Sequence, residues 1–136
     1  MKYLAFIITL TFINSLVSGD LTKQKHLEKI VYLKGSIGKK HYYEPNKLIF
    51  STGKLYKLIL VNSSDSKHYF SSNAFSKSIF TRKIQINFNN KKIAEVKGFI
   101  NEVEVWPNQQ IEWWFVPIKT GYFEDLFCKV NDTKSR

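Results

Sequence analysis

Residues 101–116 read NEVEVWPNQQIEWWFV, and the alternation in this stretch decides the fold class. Val103 and Val105 alternate with Glu102 and Glu104, the period-two pattern of a strand with one face in a core and one in water. Pro107-Asn108 then turns the chain. In the run that follows, Ile111, Trp113 and Phe115 share one face while Glu112, Trp114 and Val116 share the other. Two adjacent strands are the expectation, with one tryptophan in the core and the other outside it.

Working outward, the same signals recur at short, even spacing. Runs of strand-type residues cover 30–33, 47–50 and 55–61, separated by Gly35, Gly38, Pro45 and the Thr52-Gly53 turn. Residues 67–70 begin a further strand. Over 72–79, Ser and Asn caps with a Phe75/Ile79 spacing predict a single helical turn. Residues 81–88 and 93–96 flank an Asn-Asn-Lys-Lys hairpin turn at 89–92, and Gly121 opens a last aromatic-rich strand through Phe127 to Cys128. With no long helical pattern and no internal repeat, the expected class is all-β, a β-sandwich or Greek-key barrel.

The start of the chain bears on compartment. Lys2 is followed by an apolar run from Tyr3 to Val17 and by small residues at Ser18 and Gly19, the pattern of a secretory signal peptide over 1–19 with cleavage before Asp20. The apolar core is shorter than the roughly 20 residues a spanning helix needs, and no cysteine near the junction permits lipidation. The expectation is an exported, periplasmic protein: a polar arm over 20–41, one domain over 42–130, and a tail over 131–136.

Loss of Lys2 with the leader leaves 20 basic and 11 acidic side chains, a charge of +9. So large a charge invites a nucleic-acid reading, but nearly every basic residue is lysine, and only Arg82 and Arg136 offer the planar fork that reads bases and phosphates. The charge is better read as a solvated surface, and nucleic acid is not an expected partner. Such a surface still suits docking on an acidic redox protein.

Enzyme signatures are absent: no glycine-rich phosphate loop, no serine nucleophile elbow and no His-Glu-x-x-His motif. Glu102 and Glu104 lie on the solvated face of a strand, and Glu124-Asp125 flank a turn. The single cysteine, Cys128, cannot make an internal disulfide, so in an oxidising compartment the thiol must be buried, paired between chains or bound to metal. His68 stands among strand residues far upstream of Cys128, near the middle of the sequence. A Cys-His thiol enzyme would need an oxyanion hole and an orienting third group, and neither is evident. Thiolate with imidazole suits copper, and a His₂Cys set with a weak axial donor is an electron-transfer site. The bland reading keeps His68 as a hydrogen-bonded, half-buried side chain and Cys128 as a small core residue.

Many short segments in a fixed order also carry a resemblance. They are Tyr43-Glu44-Pro45-Asn46; Gly53-Lys54-Leu55-Tyr56-Lys57-Leu58 with Asn62; Lys67-His68-Tyr69-Phe70; Phe75; and Phe80-Thr81-Arg82-Lys83. Ala94-Glu95-Val96-Lys97-Gly98, Glu102-Val103-Glu104-Val105 with Pro107, Glu112-Trp113-Trp114-Phe115-Val116-Pro117 and Thr120-Gly121-Tyr122-Phe123 continue the series up to Cys128. Over residues 43–130 the chain resembles the small periplasmic cupredoxins, the plastocyanin/azurin-like blue copper family.

The resemblance implies a cupredoxin-like Greek-key β-sandwich and one type-1-like copper ion with His68 and Cys128 as ligands. It also implies an electron-carrying monomer that meets a protein redox or metal-transport partner in the periplasm, without catalysis of its own. It departs after Cys128, where family members carry a Gly-His pair, a Gly-Met pair and a closing strand. This chain reads KVNDTKSR over 129–136, so two expected ligands and the last strand are missing. His26 and His41 lie among lysines upstream, where charge repulsion argues against recruiting either. The alternative expectation is therefore a copper-free cupredoxin module acting with a metal-uptake or redox partner.

Overall fold

The computed structural model describes residues 23–126 and 128; the expected leader over 1–19 and tail over 131–136 lie outside these residues. Eight strands and one helical turn follow in order: β1 (Leu27–Lys34), β2 (Tyr42–Glu44), β3 (Tyr56–Asn62), β4 (His68–Ser71), α1 (Asn73–Ser76), β5 (Ile79–Phe88), β6 (Lys91–Val96), β7 (Glu102–Val105) and β8 (Gln109–Pro117). Six strands form one sheet in the order β2-β1-β3-β8-β5-β6, and β4 pairs with β7 in a second, smaller one. The expected all-β class holds.

Burial follows the alternation read from 101–116. Val103, Val105, Ile111, Trp113 and Phe115 are buried, and the Trp113 indole donates to the Thr81 hydroxyl at 3.0 Å. Trp114 lies on the outer face of the large sheet between the ammonium groups of Lys57 and Lys83, each 5.4 Å from its ring. Leu58 and Leu60 from β3, Val31 and Leu33 from β1, and Phe70 and Phe75 complete the core between the sheets. Each large buried side chain removes enough apolar surface to favour folding by about 1.5–3 kcal/mol.

Three local expectations differ from the structure. The strand expected at 30–33 begins earlier, as β1 within the arm expected over 20–41, and pairs in parallel with β3 from Leu27↔Tyr56 to Leu33↔Asn62. Its first half carries charge because it lies at the exposed sheet face, where Glu28 is ion-paired with Lys57. Residues 47–50 form no strand; Leu48 and Phe50 pack against the core as side chains, Phe50 meeting Tyr56 and Phe115 edge-on.

The strand expected from Gly121 is also absent over 121–126. That segment is held through its side chains instead. Phe123 and Leu126 pack on the core, and the Asp125 carboxylate accepts hydrogen bonds from the Ser72 hydroxyl at 2.5 Å and the Ala74 N–H at 2.8 Å at the start of α1.

Candidate metal centre

Cys128, at the end of that tethered segment, reaches the open edge of β4. Tyr69 sits opposite Glu104 of β7, yet its N–H donates to Cys128 Sγ at 3.4 Å and its carbonyl accepts from the Tyr43 hydroxyl at 2.5 Å. A strand residue points its N–H and C=O to the same side. Among the described residues, the edge of β4 is thus satisfied at this point by a thiol and a phenol and not by a strand.

His68, the first residue of β4, is fully buried. Its Nδ1 lies 3.7 Å from Cys128 Sγ and its Nε2 is 2.9 Å from the Ser64 hydroxyl. Ser64 is itself fixed, donating to the Asn62 side-chain carbonyl and within reach of the Ser66 carbonyl. One ring nitrogen is therefore oriented by a polar neighbour while the other faces the sulfur, the arrangement that sets tautomer and aim in metal-binding histidines.

The third member is His41, which sequence reasoning excluded. Its Nδ1 stands 3.9 Å from Cys128 Sγ, and its ring packs on that of His68 with centroids 4.3 Å apart. The lysines that argued against it, Lys39 and Lys40, are exposed while His41 is half-buried, so their charge stays in water. Delivery of His41 depends on the β1–β2 connection. A turn closed by Lys39 N–H on the Ser36 carbonyl uses Gly38 at φ +74°, the position where such turns need glycine. Gly35, at φ +117°, lies so close to His41 that an added Cβ would stand 2.5 Å from its Cδ2.

One sequence signal could have found His41. It lies two residues before Tyr43, the spacing that puts both on one face of an extended chain, and Tyr43 was already among the segments of the resemblance. His26 is elsewhere, beside Glu28 and packed at a tilt against Trp114.

The donor atoms of His41, His68 and Cys128 all lie within 4.8 Å of one another, and the three residues could hold a metal ion. A thiolate and an imidazole that share a small ion at bond lengths of about 2.3 and 2.0 Å stand roughly 3.5–3.7 Å apart. The observed 3.7 and 3.9 Å are close to that span. If Nδ1 of His41 ligates, its second ring nitrogen carries the proton; that nitrogen is buried without a hydrogen-bond partner among the described residues, so this ring lacks the orienting contact that His68 has. Two imidazoles and a thiol form a soft-to-borderline set suited to copper or zinc.

Electrostatics favour neutral donors. Burial, and then the proximity of His41, hold the pKa of His68 down at about 4, against a weaker opposing hydrogen bond with the Gly35 backbone. Burial pushes the Cys128 thiol up, partly offset by the hydrogen bond from the Tyr69 N–H. At neutral pH the metal-free site thus presents a free imidazole and a thiol that must release its proton when it ligates.

The other candidates separate from this point. Glu104 pairs with Lys67 at 3.4 Å on the surface of β7, and Asp125 serves the α1 cap. Among the described residues no helix is long and apolar enough to cross a membrane.

No family model matches the chain, and no curated protein matches it. Among solved structures it is similar to a multicopper oxidase from Campylobacter jejuni described as a metallo-oxidase, with a TM-score of 0.53 and 17% identity. The match covers 73% of this chain and 26% of that one, so the chain spans about a quarter of that oxidase's length. The fold is cupredoxin-like. At this identity the likeness speaks for the fold alone, and the metal reading stands on the three converging side chains.

Proposed function

We infer that the protein is an exported copper-binding protein that carries electrons, with His41, His68 and Cys128 holding one ion. The observation that carries this reading is the convergence of two imidazoles and one thiol, from three separate parts of the chain, on a single point at one end of a cupredoxin-like sandwich. Copper, when bound, supplies one-electron chemistry. The protein would supply three donors, two imidazoles and a thiolate, of types that suit copper, with His68 oriented by Ser64 and the sulfur held by the Tyr69 N–H.

In this reading His41 supplies the second imidazole beside His68. The signal-like leader over 1–19 supports a periplasmic location. A mature charge of +9 supports encounter with an acidic redox or metal-transport protein. In this reading the chain is a monomeric carrier and catalyses no reaction itself.

The test is a titration of the purified mature protein with Cu(II). One equivalent should produce an intense visible thiolate-to-copper charge-transfer band, absent from Cys128→Ser and strongly weakened in His41→Ala. A well-folded wild-type protein that develops no band refutes the reading.

A further inference from the structure

The six-stranded sheet ends in β2 on one side and β6 on the other. β2 is three residues long, whereas β6 runs for six, and among the described residues no strand pairs with its outer edge. An unpaired edge of that length is a template for another strand. Exposed apolar side chains adjoin it, Ile93 and Val96 on β6 and Phe99 just beyond it in the chain.

The two faces of this edge differ in chemistry. Val96 lies opposite Ile84 and Ala94 opposite Ile86 across β5–β6, and residues directly opposite share a face. Ile84 belongs to the core and Ile86 packs against it, so this face of β6 looks between the sheets. The two-stranded sheet leaves it partly open: a groove of about 220 Å³ is lined by Ile84, Ile86, Val96, Ile100, Val103 and Ile111, with Glu102 and Glu104 on its β7 wall.

The other face is cationic. Glu95, opposite Gln85, is met by Lys92 at 2.5 Å, Lys83 at 3.3 Å and Lys97 at 3.7 Å, and Lys91 is exposed at the start of the strand. Lysine thus outweighs the single carboxylate along this edge. A second copy of the chain would bring the same excess of lysine to the interface, so charge disfavours self-pairing. A strand with carboxylates on the matching face brings the opposite sign.

We propose that β6 is a docking edge for an extended acidic segment of another protein, about six residues in which apolar side chains alternate with Asp or Glu. Backbone hydrogen bonds to β6 hold the segment as a seventh strand. The period of two sends its apolar side chains over the groove and its carboxylates toward Lys92 and Lys97. Lysines that discourage indiscriminate edge pairing here select the partner by charge. β6 and β2, the strand next to His41, end the sheet on opposite sides, so the inference needs no bound ion and stands apart from the copper reading.

The experiment titrates isotope-labelled, metal-free mature protein with the synthetic peptide GDVDVDVDG and follows its NMR signals. Two further peptides serve as controls: GDDDDVVVG, with the same composition in blocks, and GKVKVKVKG, with the charge reversed. The alternating acidic peptide should shift the amide signals of residues 91–96 and the methyl signals of Ile84 and Ile100 to saturation. The blocked peptide should bind about tenfold more weakly and the lysine peptide not measurably, while added salt weakens binding without abolishing it. The double variant Lys91→Glu/Lys92→Glu, changed only at exposed positions, should lose about tenfold in affinity for the acidic peptide and gain affinity for the lysine one.

Absence of saturable shifts at β6 overturns the proposal. Equal affinities for the alternating and blocked peptides do so too, because they mean adhesion by charge alone. Shifts at β6 that depend on protein concentration without peptide overturn it in favour of a second copy. If the double variant fails to fold, the three peptides on wild type still decide.

Discussion

Replacing Gly35 with alanine tests whether the β1–β2 connection is built to deliver His41. Gly35 has φ +117°, and a Cβ there would lie 2.5 Å from His41 Cδ2, 2.7 Å from the Lys40 carbonyl oxygen and 2.9 Å from His41 Cα. Two of these three atoms belong to backbone and cannot swing aside. Holding an L-residue in so sparsely populated a backbone region costs about 1–3 kcal/mol, and relieving the contacts must move the His41 backbone by several tenths of an ångström or more. Gly38 in the same loop is the control, because at φ +74° a Cβ would meet nothing within 4 Å. Its alanine variant should lose only the about 1–2 kcal/mol of a left-handed residue.

The two variants should therefore separate. Gly35→Ala should lose about 2–4 kcal/mol in urea unfolding of the metal-free protein and weaken copper binding at least tenfold, since His41 no longer reaches the sulfur. Gly38→Ala should lose less stability and keep near-normal copper affinity. Equal effects of both variants on copper affinity would refute the reasoning, as would a Gly35→Ala protein with wild-type affinity, because His41 would then not depend on the close approach.

Two further outcomes are expected. The pKa of His68, held near 4 by burial and by His41, lies below that of an unfolded histidine. The unfolded chain therefore binds more protons between about pH 6.5 and 4, and metal-free stability should fall by up to ~3 kcal/mol as pH drops through that window; His68→Gln should flatten the slope, and an unchanged slope in urea titrations would contradict the assignment. For Asp125, burial raises the carboxyl pKa, but the hydrogen bonds from Ala74 and Ser72 and the neighbouring backbone lower it further. Its contribution is therefore lost only as pH falls below the ordinary carboxylate range. Asp125→Ala should lose about 1–2 kcal/mol as a helix-cap loss does, and weaken copper binding as well, because the same segment carries Cys128.

How far the sequence was legible depended on whether a signal was local. The alternation in 101–116 gave β7 and β8 with their inward faces, and the turn residues Asn89 and Asn90, both at positive φ, marked the β5–β6 hairpin. Of β1 only the half read at 30–33 was legible; its pairing was not, because its partner β3 follows in parallel after a long connection, and parallel pairing leaves no turn signature between the two strands. The segment after Gly121 read as a strand because it is rich in aromatic residues, but Tyr122 is exposed, and packing of Phe123 and Leu126 with the Asp125 cap satisfies the segment without a ladder.

The same division holds at the centre. His68 and Cys128 stood out by residue type alone. His41 did not, because its role depends on two glycines that bend the chain and on the lysines beside it remaining in water, and neither is visible as a spacing rule. The lysines were weighed as charges near a ligand, whereas the fold leaves both Lys39 and Lys40 exposed to water.

Where a chain departs from the mutual consistency of pattern, packing and hydrogen bonding, function is the usual reason. Most of this core obeys the consistent pattern: apolar side chains alternate inward, and Trp113 and Asn62 find partners. Several departures meet at the β4 edge. His68 is buried and held neutral, His41 keeps a buried nitrogen without a partner among the described residues, and Gly35 adopts a backbone that other residues avoid. An unsatisfied buried nitrogen alone costs about 1–3 kcal/mol. Two other side chains share that feature, Ser76 in α1 and Trp114 on the outer sheet face, but neither stands beside a thiol or a second imidazole. A leucine at His41 or His68 would fill the same space without a buried polar atom. The physical sense of keeping two imidazoles against a sulfur is therefore what they offer together, a set of lone pairs aimed at one point.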